Sequence, residues 1–186
     1  MSRAGDTAIA AEVPHRRTVV VDVILLLMRN GRILLRERAN TGYGDGAYEP
    51  PTGQLADRET IVETAIRVAS AEAGIAIRAE NVSLAHVMHD VSGSGRIAFF
   101  LTVTGWQGGS APSGGLTPAL AGPAPAGQAP GARWFPVGSL PTNMLDRSRV
   151  ALRNYAEGMR FSTYPAFGPA GPALFSADPF QDAFSA

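Results

Sequence analysis

The chain has 186 residues, with 16 basic and 16 acidic side chains and no cysteine. That length fits one domain with extensions better than two domains. The balanced charge gives no electrostatic reason to expect a nucleic acid or an anionic membrane as partner, and the missing cysteines exclude disulfides, thiolate zinc sites and thiol nucleophiles.

Residues 1–15 are small and mixed and read as a flexible leader without the basic-then-apolar order of a signal peptide. Val19 to Met28 is rich in Val, Ile and Leu and predicts a buried strand. Asp22 interrupts it, and it is too short to span a bilayer. A cytoplasmic protein is expected. Arg29 to Arg32 contains Asn-Gly, a strong hairpin signal, and Ile33 to Arg38 reads as the returning strand. Asn40 to Gly53 is rich in Gly and Pro and reads mostly as loop.

A helix follows. Thr60 and Glu63 have the spacing of a capping box, and Ile61, Val62, Ala65, Ile66 and Ala69 give an apolar face. Gly74 stands where helices end. Ile75 to Ile77 predicts a short strand, and Ser83 to His89 and Arg96 to Val103 predict two more. Residues 108–131 are dominated by Gly, Ala, Pro and Ser and read as a mobile insertion. Ala132 to Val137 returns to a strand pattern. Asp146 to Glu157 reads as a helix with Val150, Leu152 and Tyr155 inward. Residues 161–186 read as a loose tail punctuated by Phe161, Phe167, Phe175, Phe180 and Phe184. The element order predicts an α/β (α+β) sandwich in one domain over residues 16–160, a mixed sheet flanked by helices.

Gly53 to Ile75 carries the most specific pattern. Gly53 is followed by five residues, Glu59, seven residues, and then Arg67-Val68-Ala69-Ser70-Ala71-Glu72-Ala73-Gly74-Ile75. This resembles the box of the Nudix hydrolases, in which an Arg-Glu-apolar-any-Glu-Glu-any-Gly-apolar ending follows the same spacing. Tyr48 to Thr52 resembles the approach to the box, with Thr52 replacing a glycine. Arg133 to Pro136 with Leu140-Pro141 resembles a late family strand. The resemblance covers about residues 17–158 and implies the Nudix fold. It also implies hydrolysis of nucleoside or other diphosphates with Mg²⁺ or Mn²⁺ held by the helix glutamates.

Here the box is degenerate. Gly53, Glu59, Arg67 and Gly74 match its structural positions, with Glu59 and Arg67 as the implied pair. Val68 and Ala71 stand where two glutamates belong, leaving Glu72 as the one matching metal carboxylate. Ala56 replaces a loop residue that is often acidic. Glu63 reads as a cap, and Asp57 as loop surface. Glu49, Glu72, His86 and His89 are the candidate acid/base groups. With period two, His86, Met88 and Asp90 share a strand face and His89 points the other way. Arg36, Arg38, Tyr43, Tyr48, Val68 and Ala71 are the candidate substrate contacts. Trp106 and Trp134 read as core.

Three functions remain open. The first is metal-independent acid/base chemistry on a small molecule, in a specialised biosynthetic pathway by analogy, with no cofactor expected. The second is residual Mg²⁺- or Mn²⁺-dependent hydrolysis using Glu72. The third is a catalytically dead ligand-binding module. A homodimer is left open.

Overall fold

The computed structural model describes residues 18–93, 95–109 and 131–165. The leader, most of the 108–131 insertion and the tail beyond Pro165 lie outside these residues. The strands are β1 (Val20–Leu26), β2 (Met28–Arg29), β3 (Arg32–Glu37), β4 (Tyr48–Glu49) and β5 (Thr52–Gln54). Helix α1 (Ile61–Ala73) follows, then β6 (Ile75–Ile77), β7 (Val82–Asp90), β8 (Arg96–Val103) and β9 (Trp106–Gly108). After the insertion come β10 (Ala132–Pro136), α2 (Asp146–Ala156) and β11 (Phe161–Tyr164).

The main sheet is mixed, in the order β11-β7-β8-β1-β5. Strand β1 runs parallel to β8 and antiparallel to β5. A smaller sheet joins β10, β3 and β2, with β4 paired to β3, and β6 pairs with β9. This is the mixed α+β architecture expected from the order of elements.

Strand β1 feeds two cores because alternate residues point to opposite faces. Ile24 and Leu26 join Ile33, Leu35, Phe100 and Leu152 on the α2 side. Val23, Leu25 and Leu27 join Ala65, Val68, Ala69 and Leu101 on the α1 side. Burial on both faces explains why the strand reads as one continuous apolar run. Each large aliphatic side chain so buried contributes roughly 1.5–3 kcal/mol.

Two expectations need correction, one for the first strand and one for the tail. The predicted strand Val19 to Met28 is divided. Its last residues belong to the smaller sheet, and the Leu27 carbonyl accepts from Leu34 N–H at 2.9 Å. The segment Asn40 to Gly53 is mostly loop, as expected, with the short strands β4 and β5 placing Glu49 and Gly53. The start of the predicted tail is β11, parallel to β7, with Tyr164 opposite Asp90. Its backbone completes the edge of β7, where Val91 N–H donates to the Tyr164 carbonyl at 2.8 Å.

Candidate active site

The structural half of the box is assembled as a clamp. Thr60 accepts from Glu63 N–H, and the Glu63 carboxylate accepts from Thr60 N–H at 2.8 Å. Such a cap stabilises a helix by about 1 kcal/mol. Gly74 closes α1 in the left-handed region, at φ 65°. Arg67 donates to both oxygens of Glu59 at 2.7 Å and to the Gln54 carbonyl at 2.9 Å. Thr64 Oγ1 adds a bond to Glu59 at 2.9 Å. These bonds, led by Arg67, hold the Glu59 carboxyl down at about 2. The loop from β5 is thereby fastened to α1.

Gly53 is a packing requirement. A Cβ there would lie 2.5 Å from Val68 Cγ2. Val68 is 1 % exposed and belongs to the α1-side core. It is therefore corrected from a substrate contact to a helix–strand contact. The inward stripe of α1 is Ala65, Val68, Ala69 and Ala73, while Ile66, expected inward, is partly exposed. Steps of three and four from Ala65 place Val68 and Ala69 on the same face. Ala71 lies on the exposed surface.

Glu72 is held in an ion pair by Arg36 of β3. The divalent ion implied by the Nudix pattern does not fit this donor set. Hard cations take several oxygen ligands. Here one helix carboxylate remains and a guanidinium is bound to it. Among the described residues no three His, Asp or Glu side chains converge as a metal-holding group.

A second set of charges converges beside this pair. Glu49 on β4 is the register partner of Arg36 on β3, so the two share a sheet face. Glu49 is 7 % exposed and pairs with Arg38. Its Oε2 lies 3.9 Å from Arg147 Nη2 and has no hydrogen-bond partner. Arg147, on α2, also lies 3.6 Å from Asp22. Asp22 is 1 % exposed and accepts from Arg96 Nε at 2.7 Å and Nη2 at 2.5 Å. Arg147 therefore links Glu49 to the Asp22–Arg96 pair, while the Arg36–Glu72 pair lies beside Glu49 through the β3–β4 register.

Arg38 extends this set into the glycine-rich loop, donating to the Tyr43 carbonyl and Thr41 Oγ1 at 3.0 Å each. The Tyr43 ring is largely exposed, with the Arg38 guanidinium 6.0 Å from its centre. Tyr48 is buried, packs edge-on against Phe135 at 4.9 Å, and donates to Glu37 at 3.2 Å. Burial is the main cause that raises its phenol above the ordinary 10.0.

His86 is corrected from candidate catalyst to structural anchor. It is fully buried. Its Nδ1 meets the Met159 carbonyl at 2.8 Å and its Nε2 meets Ser162 Oγ at 2.8 Å. A carbonyl only accepts, so in the neutral ring Nδ1–H donates and Nε2 accepts from Ser162. The ring ties the chain around β11 to β7. Burial lowers its pKa from the ordinary 6.5. The unfolded chain thus takes up this proton at higher pH than the folded chain. The resulting stability is fully present above 6.5 and is lost as pH falls through the lower folded value. Melting curves from about pH 8 to 5 are expected to fall less steeply with acid in His86→Gln than in the native chain. Equal slopes would assign the acid sensitivity elsewhere.

His89 is half-buried and points to the opposite face of β7 from His86, as the alternation predicts. It is not brought to the Asp22–Glu49 cluster, which lies on the face shared with Met88. Trp106 and Trp134 stack at 6.3 Å, with the Arg29 guanidinium 4.1 Å above Trp106. A groove of about 480 Å³ runs beside Trp106, and no member of the charged cluster lines it.

The structure thus gathers Arg36, Arg38, Tyr43, Glu49 and Glu72. It adds Asp22, Arg96 and Arg147, which were not among the sequence candidates. For Asp22 a signal existed, because a carboxylate inside a fully apolar strand requires a buried partner. Arg96 and Arg147 carry no such local mark.

The comparisons with known proteins bear on the fold and family. The family model described as NUDIX domain matches residues 16–155. No curated protein matches the chain. Among solved structures, the chain is similar to a MutT NUDIX hydrolase from Burkholderia pseudomallei at 24% identity and TM-score 0.54. That match covers 74% of this chain and 98% of the other. A NUDIX hydrolase from Nitrosomonas europaea aligns at 18% identity and TM-score 0.53, covering 77% and 93%. A structure described as an ADP compounds hydrolase aligns at 15% identity and TM-score 0.54, covering 77% and 76%. At these identities the solved structures speak for the fold alone. The family model spans most of the chain and coincides with the Glu59–Arg67 clamp, so this protein belongs to the NUDIX-domain family.

Proposed function

We propose that this chain has lost the family's metal-dependent diphosphate hydrolysis and acts on a small molecule by metal-independent acid/base chemistry centred on Glu49. The observation that carries this reading is the buried Glu49 carboxylate, with Oε2 left without a hydrogen-bond partner beside Arg147. A buried acceptor without a partner costs about 1–3 kcal/mol. A ligand hydroxyl or amine that donates to it removes that cost. Arg38 and Arg147 stand on either side of the carboxylate and fix its position against a bound molecule. The same guanidinium groups suit an acidic group on that molecule.

The test is turnover without metal. The chain is incubated in EDTA with a panel of small hydroxylated or aminated acids and phosphate esters, and products are read by mass spectrometry. Turnover in EDTA, reduced about 100-fold or more in Glu49→Gln, is the expected result. Turnover that needs Mg²⁺ and disappears in Glu72→Gln would instead identify a residual hydrolase. Binding without product would identify a ligand-binding module.

A further inference from the structure

We propose that Arg36 is a built-in counter-ion of the degenerate box, holding Glu72 and keeping divalent cations off the one metal carboxylate that remains. The inference rests on the proposed loss of metal-dependent hydrolysis. Its readout is metal occupancy and not turnover, so the two fail separately.

Arg36 lies on β3, whose backbone is fixed by pairing with β10 on one side and β4 on the other. The guanidinium is therefore delivered to α1 by a rigid strand. It meets Glu72 in the last turn of α1, one residue beyond Ala71. Its Nε is buried, while the side chain as a whole keeps 37% of its exposure, so the pair sits at the rim of the strand–helix contact. Glu72 retains about a quarter of its side-chain exposure, so water and ions can reach it. What opposes a cation there is a fixed positive charge already bonded to the carboxylate. A Mg²⁺ or Mn²⁺ ion would have to displace that guanidinium or accept it as a near neighbour, and like charges at such range repel.

Loss of the cation site therefore has two separable causes. One is the absence of carboxylates at positions 68 and 71. The other is the occupation of Glu72. If only the first operated, adding a carboxylate at the exposed position 71 would begin to rebuild a cation site. With Arg36 in place, the added carboxylate only offsets the guanidinium and leaves Glu72 engaged.

The experiment titrates the full chain with Mn²⁺ and follows free ion by electron paramagnetic resonance. The native chain, Ala71→Glu, Arg36→Gln and the Arg36→Gln/Ala71→Glu double variant are compared. Ala71→Glu alone is expected to bind Mn²⁺ no better than the native chain. The double variant is expected to bind at least tenfold more tightly than Ala71→Glu. Arg36→Met, which keeps an apolar stem against the strand–helix contact, replaces Arg36→Gln if the latter does not fold. Equal binding by Ala71→Glu and the double variant would overturn the proposal. So would a double variant that binds no Mn²⁺, or tight binding by the native chain.

Discussion

Val68→Glu is expected to lower stability by roughly 4 kcal/mol or more at neutral pH, although it returns a family glutamate to its place in the box. The reason is local. Val68 is 1 % exposed, and its Cγ2 occupies the space a Cβ on Gly53 would need. A carboxylate in that contact either stays charged without water or takes up a proton against a pKa shift of about three units. Its extra length also overpacks the contact, which typically costs about 1–3 kcal/mol more. For a chain of this size the melting temperature is expected to fall by about 10 °C or more. Ala71→Glu is the control. That position is exposed, and a surface change there is expected to stay within about 0.5 kcal/mol. A Val68→Glu variant that melts within about 2 °C of the native chain would show that position 68 opens to solvent. The two positions are thus unequal: position 68 is core and position 71 is surface.

Arg96→Met is expected to cost roughly 3–5 kcal/mol, because it leaves Asp22 buried without its bidentate partner. Asp22 is 1 % exposed and would keep only the longer approach of Arg147 at 3.6 Å. Replacing both members, as in Asp22→Leu/Arg96→Met, is expected to recover most of the loss, since no uncompensated charge then remains. Urea denaturation of the two single variants and the double variant measures the coupling. A loss below about 1 kcal/mol in Arg96→Met would mean that water or Arg147 already satisfies Asp22.

The hydrophobic and capping patterns made much of the fold legible before any coordinates. Thr60, Glu63 and Gly74 delimit α1 because caps act through neighbours in sequence. The Asn30-Gly31 turn is legible for the same reason, and both residues adopt positive φ. The register of Gly53, Glu59 and Arg67 predicts a clamp that the structure forms with two bonds of 2.7 Å between the charged pair. Long-range pairing was less legible. Arg96 meets Asp22 across 74 positions of sequence, and the partnership follows from the parallel register of β1 and β8. Arg147 reaches the cluster only because α2 packs over the main sheet. His86 misled for a related reason. A histidine on a strand carries no sequence mark that separates a proton shuttle from a ring bonded to Met159 and Ser162 on a later segment. Those partners lie in and beside β11, within or next to what reads as a loose tail.

Glu72 shows the same limit at the centre of the site. Sequence register marks it as the surviving metal ligand of the box, while the folded β3 delivers Arg36 to it. Glu49, marked by its place at the entry to the box, gains its meaning from Arg38 and Arg147 on two other elements.

Phosphorus NMR of the full chain with ADP-ribose, at saturating Mg²⁺ and again in EDTA, tests the loss of metal-dependent hydrolysis most directly. The expected spectra show an intact diphosphate in both conditions. Cleavage to monophosphates that requires Mg²⁺, stops in EDTA and is lost in Glu72→Gln would contradict it.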